Sequence, residues 1–317
     1  MREILKGTDF EIKKAAAALK GGYLVAFPTE TVYGLGADAA NHKAVSRIYA
    51  VKGRPTNHPL IVHISSGGLL QNWATEISDY ALKLAKEFWP GPMTLIFKRK
   101  DCAKDFITGG QDTVGIRVPS HPIALSLLNK FETLGGNGIA APSANRFGAV
   151  SPTTANAVES ELGFFLNIRD LIIDGGQSFI GLESTIIDCT NSIPVILRPG
   201  AITGEMIRKL VGKFSILNSN GTKASGLMNS HYSPNAKVIL GDLAGPGEGF
   251  LALANIPTPS GAVRLATPKN IESYAQDLYV ALRFADQQGI STIVAVPPEG
   301  SGLAEAIRDR LTRASNR

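Results

Sequence analysis

A chain of 317 residues with 44% hydrophobic and 19% charged residues has the composition of a folded globular protein, long enough that two domains are expected. No apolar run reaches membrane-spanning length, Glu3 spoils the basic opening of a secretory leader, and Cys102 and Cys189 form neither a disulfide framework nor a metal set, so a cytoplasmic protein is expected. Residues 237–317 hold eight basic and eight acidic side chains, so the net +5 belongs to the first 236 residues; an anionic ligand is expected there, but a surplus this small argues against a tight nucleic-acid binder.

Thr8-Asp9-Phe10-Glu11 reads as a capping box. Ile12, Ala15, Ala16 and Leu19 follow at helical spacing, and Gly21-Gly22 ends the helix. Residues 23–27 predict a buried strand stopped by Pro28, and the hydroxyl-rich, glycine-punctuated stretch 28–36 predicts a loop. A helix is expected over 44–51, a strand over 60–64, a helix over 78–88 and strands over 94–98 and 114–118. A helix over 123–130, a short run at 139–141 and strands over 171–174, 185–188 and 195–198 precede a helix near 204–213. Several strands follow one another with no helix between, which predicts an α/β (α+β) protein with an open mixed sheet. Residues 218–235 are rich in Ser, Asn, Gly and Lys without periodicity, as in a linker. A small α/β domain should follow, with strands 237–240 and 292–296 and helices 271–288 and 303–313. The expected division is 1–213, a linker or lid 214–236, and 237–317.

No Walker A is present, since Gly212-Lys213 runs into Phe214, and no G-x-S-x-G elbow occurs. Gly247-Glu248-Gly249-Phe250-Leu251-Ala252 matches G-x-G-x-x-A, but its slack distance from the preceding strand reads as a Gly-Pro turn. The informative pairing is Lys52-Gly53-Arg54 with Ser143-Ala144-Asn145: a compact charge, a planar fork and short hydrogen-bonding groups suit a phosphate. Arg117 and Arg198 interrupt apolar strands, and each needs an internal acid or an anionic ligand. His63, closing an apolar strand, fits a structural histidine as well as a ligand contact.

Several blocks together resemble the YrdC-like family, in the long form of the threonylcarbamoyl-AMP synthases. They are the run from Phe27 to Leu35, Lys52-Gly53-Arg54-Pro55, the run from Pro59 to His63, that from Trp89 to Thr94, that from Val114 to Pro119, Ala141-Pro142-Ser143-Ala144-Asn145 and Ser184-Thr185-Ile186-Ile187-Asp188. His231-Tyr232-Ser233-Pro234 and the trailing domain resemble the long form, with Ser233 for the usual Ala. The resemblance implies an open twisted sheet with a cationic concave face. It implies a nucleotidyltransferase that converts L-threonine, bicarbonate (or CO2) and ATP, carried with Mg2+, to L-threonylcarbamoyladenylate and pyrophosphate. Downstream proteins would transfer the threonylcarbamoyl group to the tRNA adenosine beside the anticodon. By position, threonine would meet Thr31, His63, Arg117, Ala141 and Ser184. ATP would meet Lys52, Arg54, His58, Thr113, Ser143, Asn145, Ser151, Arg198 and Tyr232, with Lys52 and Arg54 catalytic. His58 stands where the family more often has Asn. Two rival readings are a non-catalytic RNA-binding protein with weak RNA contact through the same face, and a carbamoyl-adenylate-forming enzyme, whose zinc-finger modules are absent.

Overall fold

Thr8 caps the first helix, Asp9–Lys20, by the reciprocal box: its hydroxyl accepts from Glu11 N while Glu11 Oε2 accepts from Thr8 N at 3.0 Å. The buried stripe of Ile12, Ala15, Ala16 and Leu19 packs with Leu127 and Phe131 of the helix Pro122–Thr133, covering one face of a large sheet. The computed structural model describes residues 4–216, 223–226, 228 and 231–316. The expected linker is therefore described only in part, residues 217–222, 227, 229 and 230 lying outside.

The twelve-stranded sheet runs from its edge strand Ile4–Leu5 through Leu171–Ile173, Val25–Phe27, Gly34–Asp38, Ile139–Ala140 and Ile61–His63. It continues through Thr113–Arg117, Met93–Arg99, Thr185–Asp188 and Val195–Arg198 to Ser215–Ile216, with Ala74–Thr75 beside Met93–Arg99. Parallel and antiparallel pairs are mixed in this sheet, as the missing crossovers predicted. Two departures from the expected elements matter. The glycine-rich stretch after Val32 is a fully buried strand, Gly34–Asp38, rather than loop, and a helix, Ala155–Leu162, capped by Thr154, follows the Ser-Ala-Asn turn.

A second, all-parallel sheet orders its strands Lys237–Leu240, Thr292–Ala295, Gly249–Leu251 and Val263–Ala266, with the helices Ile271–Gln287 and Leu303–Ser315 packed on it. Gly247 does turn, at φ +79°, but Gly249 opens a buried strand and forms no phosphate loop. The two lobes share apolar packing: Val32, Val150, Leu182 and Tyr232 join one buried cluster with Tyr274, Leu278, Tyr279 and Ile307 of the second lobe. Among the described residues no helix is long and apolar enough to cross a membrane.

Candidate functional site

Strand register builds the first half of the site. Ile61–His63 and Thr113–Arg117 run parallel with His63 opposite Arg117, so imidazole and guanidinium stand side by side at the carboxyl ends. Arg117 finds the internal acid that its apolar strand demanded: Nη2 donates to Glu30 Oε1 at 2.7 Å, and Glu30 Oε2 accepts from Ser120 N at 3.0 Å. Both residues are buried, and Arg117 Nε donates to Gly91 O at 3.3 Å. Thr29 gives its single hydroxyl proton to Val32 O at 2.6 Å, so in the 2.8 Å contact between hydroxyls Thr31 donates to Thr29. Thr31 is thereby left with acceptor lone pairs. Ala141 N is fixed to Ile61 O at 2.9 Å. The Ser184 hydroxyl meets Thr94 Oγ1 at 2.8 Å and accepts from Arg198 Nη2 at 3.2 Å.

The second half begins where the helix His42–Lys52 ends. Gly53 takes the left-handed turn at φ +62° that stops the helix and swings Arg54 inward. Lys52, 1% exposed, donates from Nζ to Ser143 O at 2.6 Å and to Asn145 O. The cationic tripeptide and the Ser-Ala-Asn turn paired in the sequence are thus directly bonded. Asn145 Nδ2 donates to Arg146 O and Ala149 O, and its Oδ1 has no partner among the described residues. Arg54 donates to Pro59 O at 2.8 Å and to Ser225 Oγ at 3.1 Å, and Arg198 donates to Ser184 O at 2.9 Å and to Ser225 O at 2.9 Å. Ser225 therefore sits between two guanidinium groups whose partners are neutral oxygens. Tyr232, fully buried, closes over this corner, its hydroxyl aimed at Gly226.

One cavity joins the two halves. Of the expected site residues, Thr31, Lys52, Arg54, His63, Arg117, Ala141, Ser143, Asn145, Ser184, Arg198 and Tyr232 line it. Thr113 lies in an adjoining pocket that shares Ile61 and Ser225 with the cavity. Neither His58 nor Ser151 lines either pocket. His58 offers its backbone oxygen to Tyr49 at 3.2 Å, and Ser151 donates to Glu183 Oε1 at 2.6 Å. Glu30 and Glu183 are buried beside the cavity residues and were not singled out by the local pattern. Glu30 was within reach, since an arginine inside an apolar strand predicts a buried acid; Glu183 gave no local signal.

Electrostatically the pocket has an excess of positive charge. Burial, then Arg54, pushes the Lys52 ammonium well below its ordinary range, and burial lowers Arg54 to about 10. Burial, then Arg117, lowers His63 to about 3, so its imidazole is neutral, and its Nδ1 has no partner among the described residues. Burial likewise lowers His231 to about 3, against the opposing pull of Glu183. Burial alone would raise Glu183, but Arg310 and Arg198 outweigh it and hold the carboxyl below the usual range. An arriving polyanion would oppose the lowering at Lys52 and Arg54. No group of three or more His, Cys, Asp or Glu among the described residues could hold a metal ion. Fold and cavity together define a two-lobed α/β protein with a cation-lined cavity.

Comparison with known proteins narrows that class. The family described as "Telomere recombination" matches residues 17–200, and that described as "Threonylcarbamoyl-AMP synthase, C-terminal domain" matches residues 202–316. The chain is 40% identical to the threonylcarbamoyl-AMP synthase of Pyrococcus abyssi, over 97% of this chain and 94% of that one. It is 38% identical to that of Bacillus subtilis, over 98% and 94%. The crystal structure of P. abyssi Sua5 complexed with L-threonine superposes with a TM-score of 0.88 at 39% identity, covering 99% of this chain and 96% of that one. Escherichia coli YciO covers 63% of this chain and 96% of its own, at 25% identity with a TM-score of 0.54. The chain belongs to the threonylcarbamoyl-AMP synthase family, in its long, two-domain form.

Proposed function

We propose that this chain makes L-threonylcarbamoyladenylate and pyrophosphate from L-threonine, bicarbonate or CO2, and ATP, for threonylcarbamoyl modification of tRNA by downstream transfer proteins. The observation that carries the reading is a cation-lined cavity holding a braced arginine, in a chain that matches such synthases over nearly its whole length. Arg117, with Glu30 on Nη2 and Gly91 O on Nε, presents its Nη1 side to the amino-acid carboxylate. The lone pairs of Thr31 receive the amine, and neutral His63 orients it. The amine adds to CO2 and loses a proton, giving a carbamate.

A carbamate oxygen then attacks the α-phosphorus; the bond from that phosphorus to the bridging oxygen breaks, and pyrophosphate leaves. Arg54 and Arg198 exchange Ser225 for phosphate oxygens, a charge-assisted contact that gains strength as charge moves to the leaving group. Lys52, fixed to two carbonyls, adds charge and holds the turn that carries Ser143 and Asn145. Magnesium would enter on the nucleotide phosphates, because the carboxylate lining the cavity, Glu183, has both oxygens engaged. His58, Thr113 and Ser151 complete the nucleotide side in this proposal, with the linker around His231 and Tyr232 as a lid. The division at 213 and 236 belongs to the same reading.

Pyrophosphate release is expected to require ATP, threonine and bicarbonate together. Release that ignores threonine overturns the reading, and salt-sensitive RNA affinity without release would favour an RNA-binding protein instead. Arg54→Ala should lower kcat by roughly a hundredfold or more while the fold persists. An active Arg54→Ala enzyme would place the phosphates elsewhere.

A further inference from the structure

The innermost charge of the second lobe is spent on the first. Arg310, on the helix Leu303–Ser315, is 1% exposed, and its Nε donates to Glu183 Oε2 at 2.9 Å. Its Nη1 donates to Asp309 Oδ2 at 2.7 Å, and the guanidinium lies 5.3 Å from the Tyr232 ring centroid. Glu183 precedes Ser184 in the chain, and Ser184 is the residue that Arg198 grips through both backbone and hydroxyl oxygens. One guanidinium therefore touches the floor of the cavity at Glu183 and its roof at Tyr232. The surroundings keep it there: Tyr279 OH donates to Glu183 Oε2 at 3.0 Å and stacks on Tyr232, while Ser151 takes the other carboxylate oxygen. On the same helix Arg313 donates to Met228 O at 2.6 Å, and its own carbonyl accepts from His231 N at 3.3 Å.

We propose that Arg310 is a positioning residue for the reaction: by holding Glu183 and the Tyr232 ring at once, it sets Ser184 and the closed linker in register. The second lobe is then a wall of the site, brought in by its last helix. This inference rests on the synthase reading for its kinetic arm only. A buried ion pair that merely joins lobes would cost thermal stability and leave turnover intact while the protein is folded. A positioning pair loses turnover first.

The test compares Arg310→Met and Arg310→Lys with wild type in pyrophosphate release, thermal unfolding and amide hydrogen exchange. Well below its Tm, Arg310→Met is expected to lose roughly tenfold or more in kcat with less change in the KM for ATP. Exchange at His231, Tyr232 and Ser233 should quicken, while that of Asp9–Lys20 stays at the wild-type rate. Arg310→Lys keeps charge for Glu183 but loses the flat fork over Tyr232, so it should recover only part of kcat. Wild-type turnover in a folded Arg310→Met protein, or exchange quickened equally in every element, overturns the proposal. Should Arg310→Met fail to fold, Arg310→Lys decides: wild-type kcat and linker exchange overturn it, and reduced kcat at a wild-type Tm supports it. A wild-type protein without threonine-dependent release would sink the synthase reading alone, since the exchange comparison needs no substrate.

Discussion

Arg117 and Arg198 occupy the same setting, an apolar strand ending at the cavity, and are satisfied in opposite ways. Arg117 has a carboxylate, whereas Arg198 has the neutral oxygens of Ser184 and Ser225. The first is braced before any ligand arrives, and the second can trade one partner for a stronger one. Arg117→Lys should therefore raise the KM for threonine by roughly ten- to a hundredfold, because a point charge cannot serve Glu30 and a carboxylate as a planar fork does. An unchanged KM would remove Arg117 from the amino-acid side. The buried histidines carry a pH signature. His63, ordinarily near 6.5, is pushed down to about 3, and His231 likewise. Between these values the unfolded chain binds protons that the native state refuses, so their stabilisation is full above pH 6.5 and is lost as pH falls toward 3. Stability from urea unfolding should drop on acidification by up to roughly 1.4 kcal/mol per pH unit for each histidine, and His63→Gln should remove one proton's share of that slope. A slope unchanged in His63→Gln would contradict the neutral assignment.

Elements differ in how far local pattern specifies them. The first helix could be read from its box and stripe, and the Ser-Ala-Asn turn from its residues. The strand Gly34–Asp38 was hidden because its glycines serve packing and not turning. A Cβ on Gly36 would lie 2.8 Å from Ile139 Cγ2 and 2.9 Å from Phe27 Cε1, so the neighbouring strands need the bare backbone. The helix Ala155–Leu162 did show its signal, Thr154 followed by Ala155, Val158 and Leu162 at helical spacing. Most of the cavity's cations were legible because strands and turns advertise misplaced charge. The Glu183–Arg310 contact was not, for its partners lie 127 residues apart and each looks ordinary in its own segment. At Gly226, φ is +80° and an added Cβ would fall 2.0 Å from Tyr232 Oη. Gly226→Ala is therefore expected to dislodge Tyr232 and, well below its Tm, to lower kcat/KM for ATP roughly tenfold. Wild-type kcat/KM would show that Tyr232 needs no such seat.

On the scale of the whole molecule, the two lobes behave as one folding unit in their contacts. Arg283 of the second lobe pairs with Glu161 at 2.6 Å and donates to Val150 O, and Asp286 accepts from Asn235 N and Ala236 N at 2.9 and 3.0 Å. The apolar cluster shared through Val32, Val150, Leu182 and Tyr232 has no boundary at which the lobes could part cheaply. Calorimetry should show a single transition, with the van't Hoff and calorimetric enthalpies agreeing. Two resolved peaks would mean that the shared cluster contributes little.

Because Arg310 stands on Leu303–Ser315, a growing polypeptide exposes Glu183, Arg54 and Arg198 long before their last neighbour has been synthesised. A chain cut short before that helix carries Lys52, Arg54 and Arg198 but leaves Glu183 without the Arg310 guanidinium. On the proposed role of Arg310, competence for chemistry waits for Leu303–Ser315, and a product cut short before that helix would not turn over nucleotide.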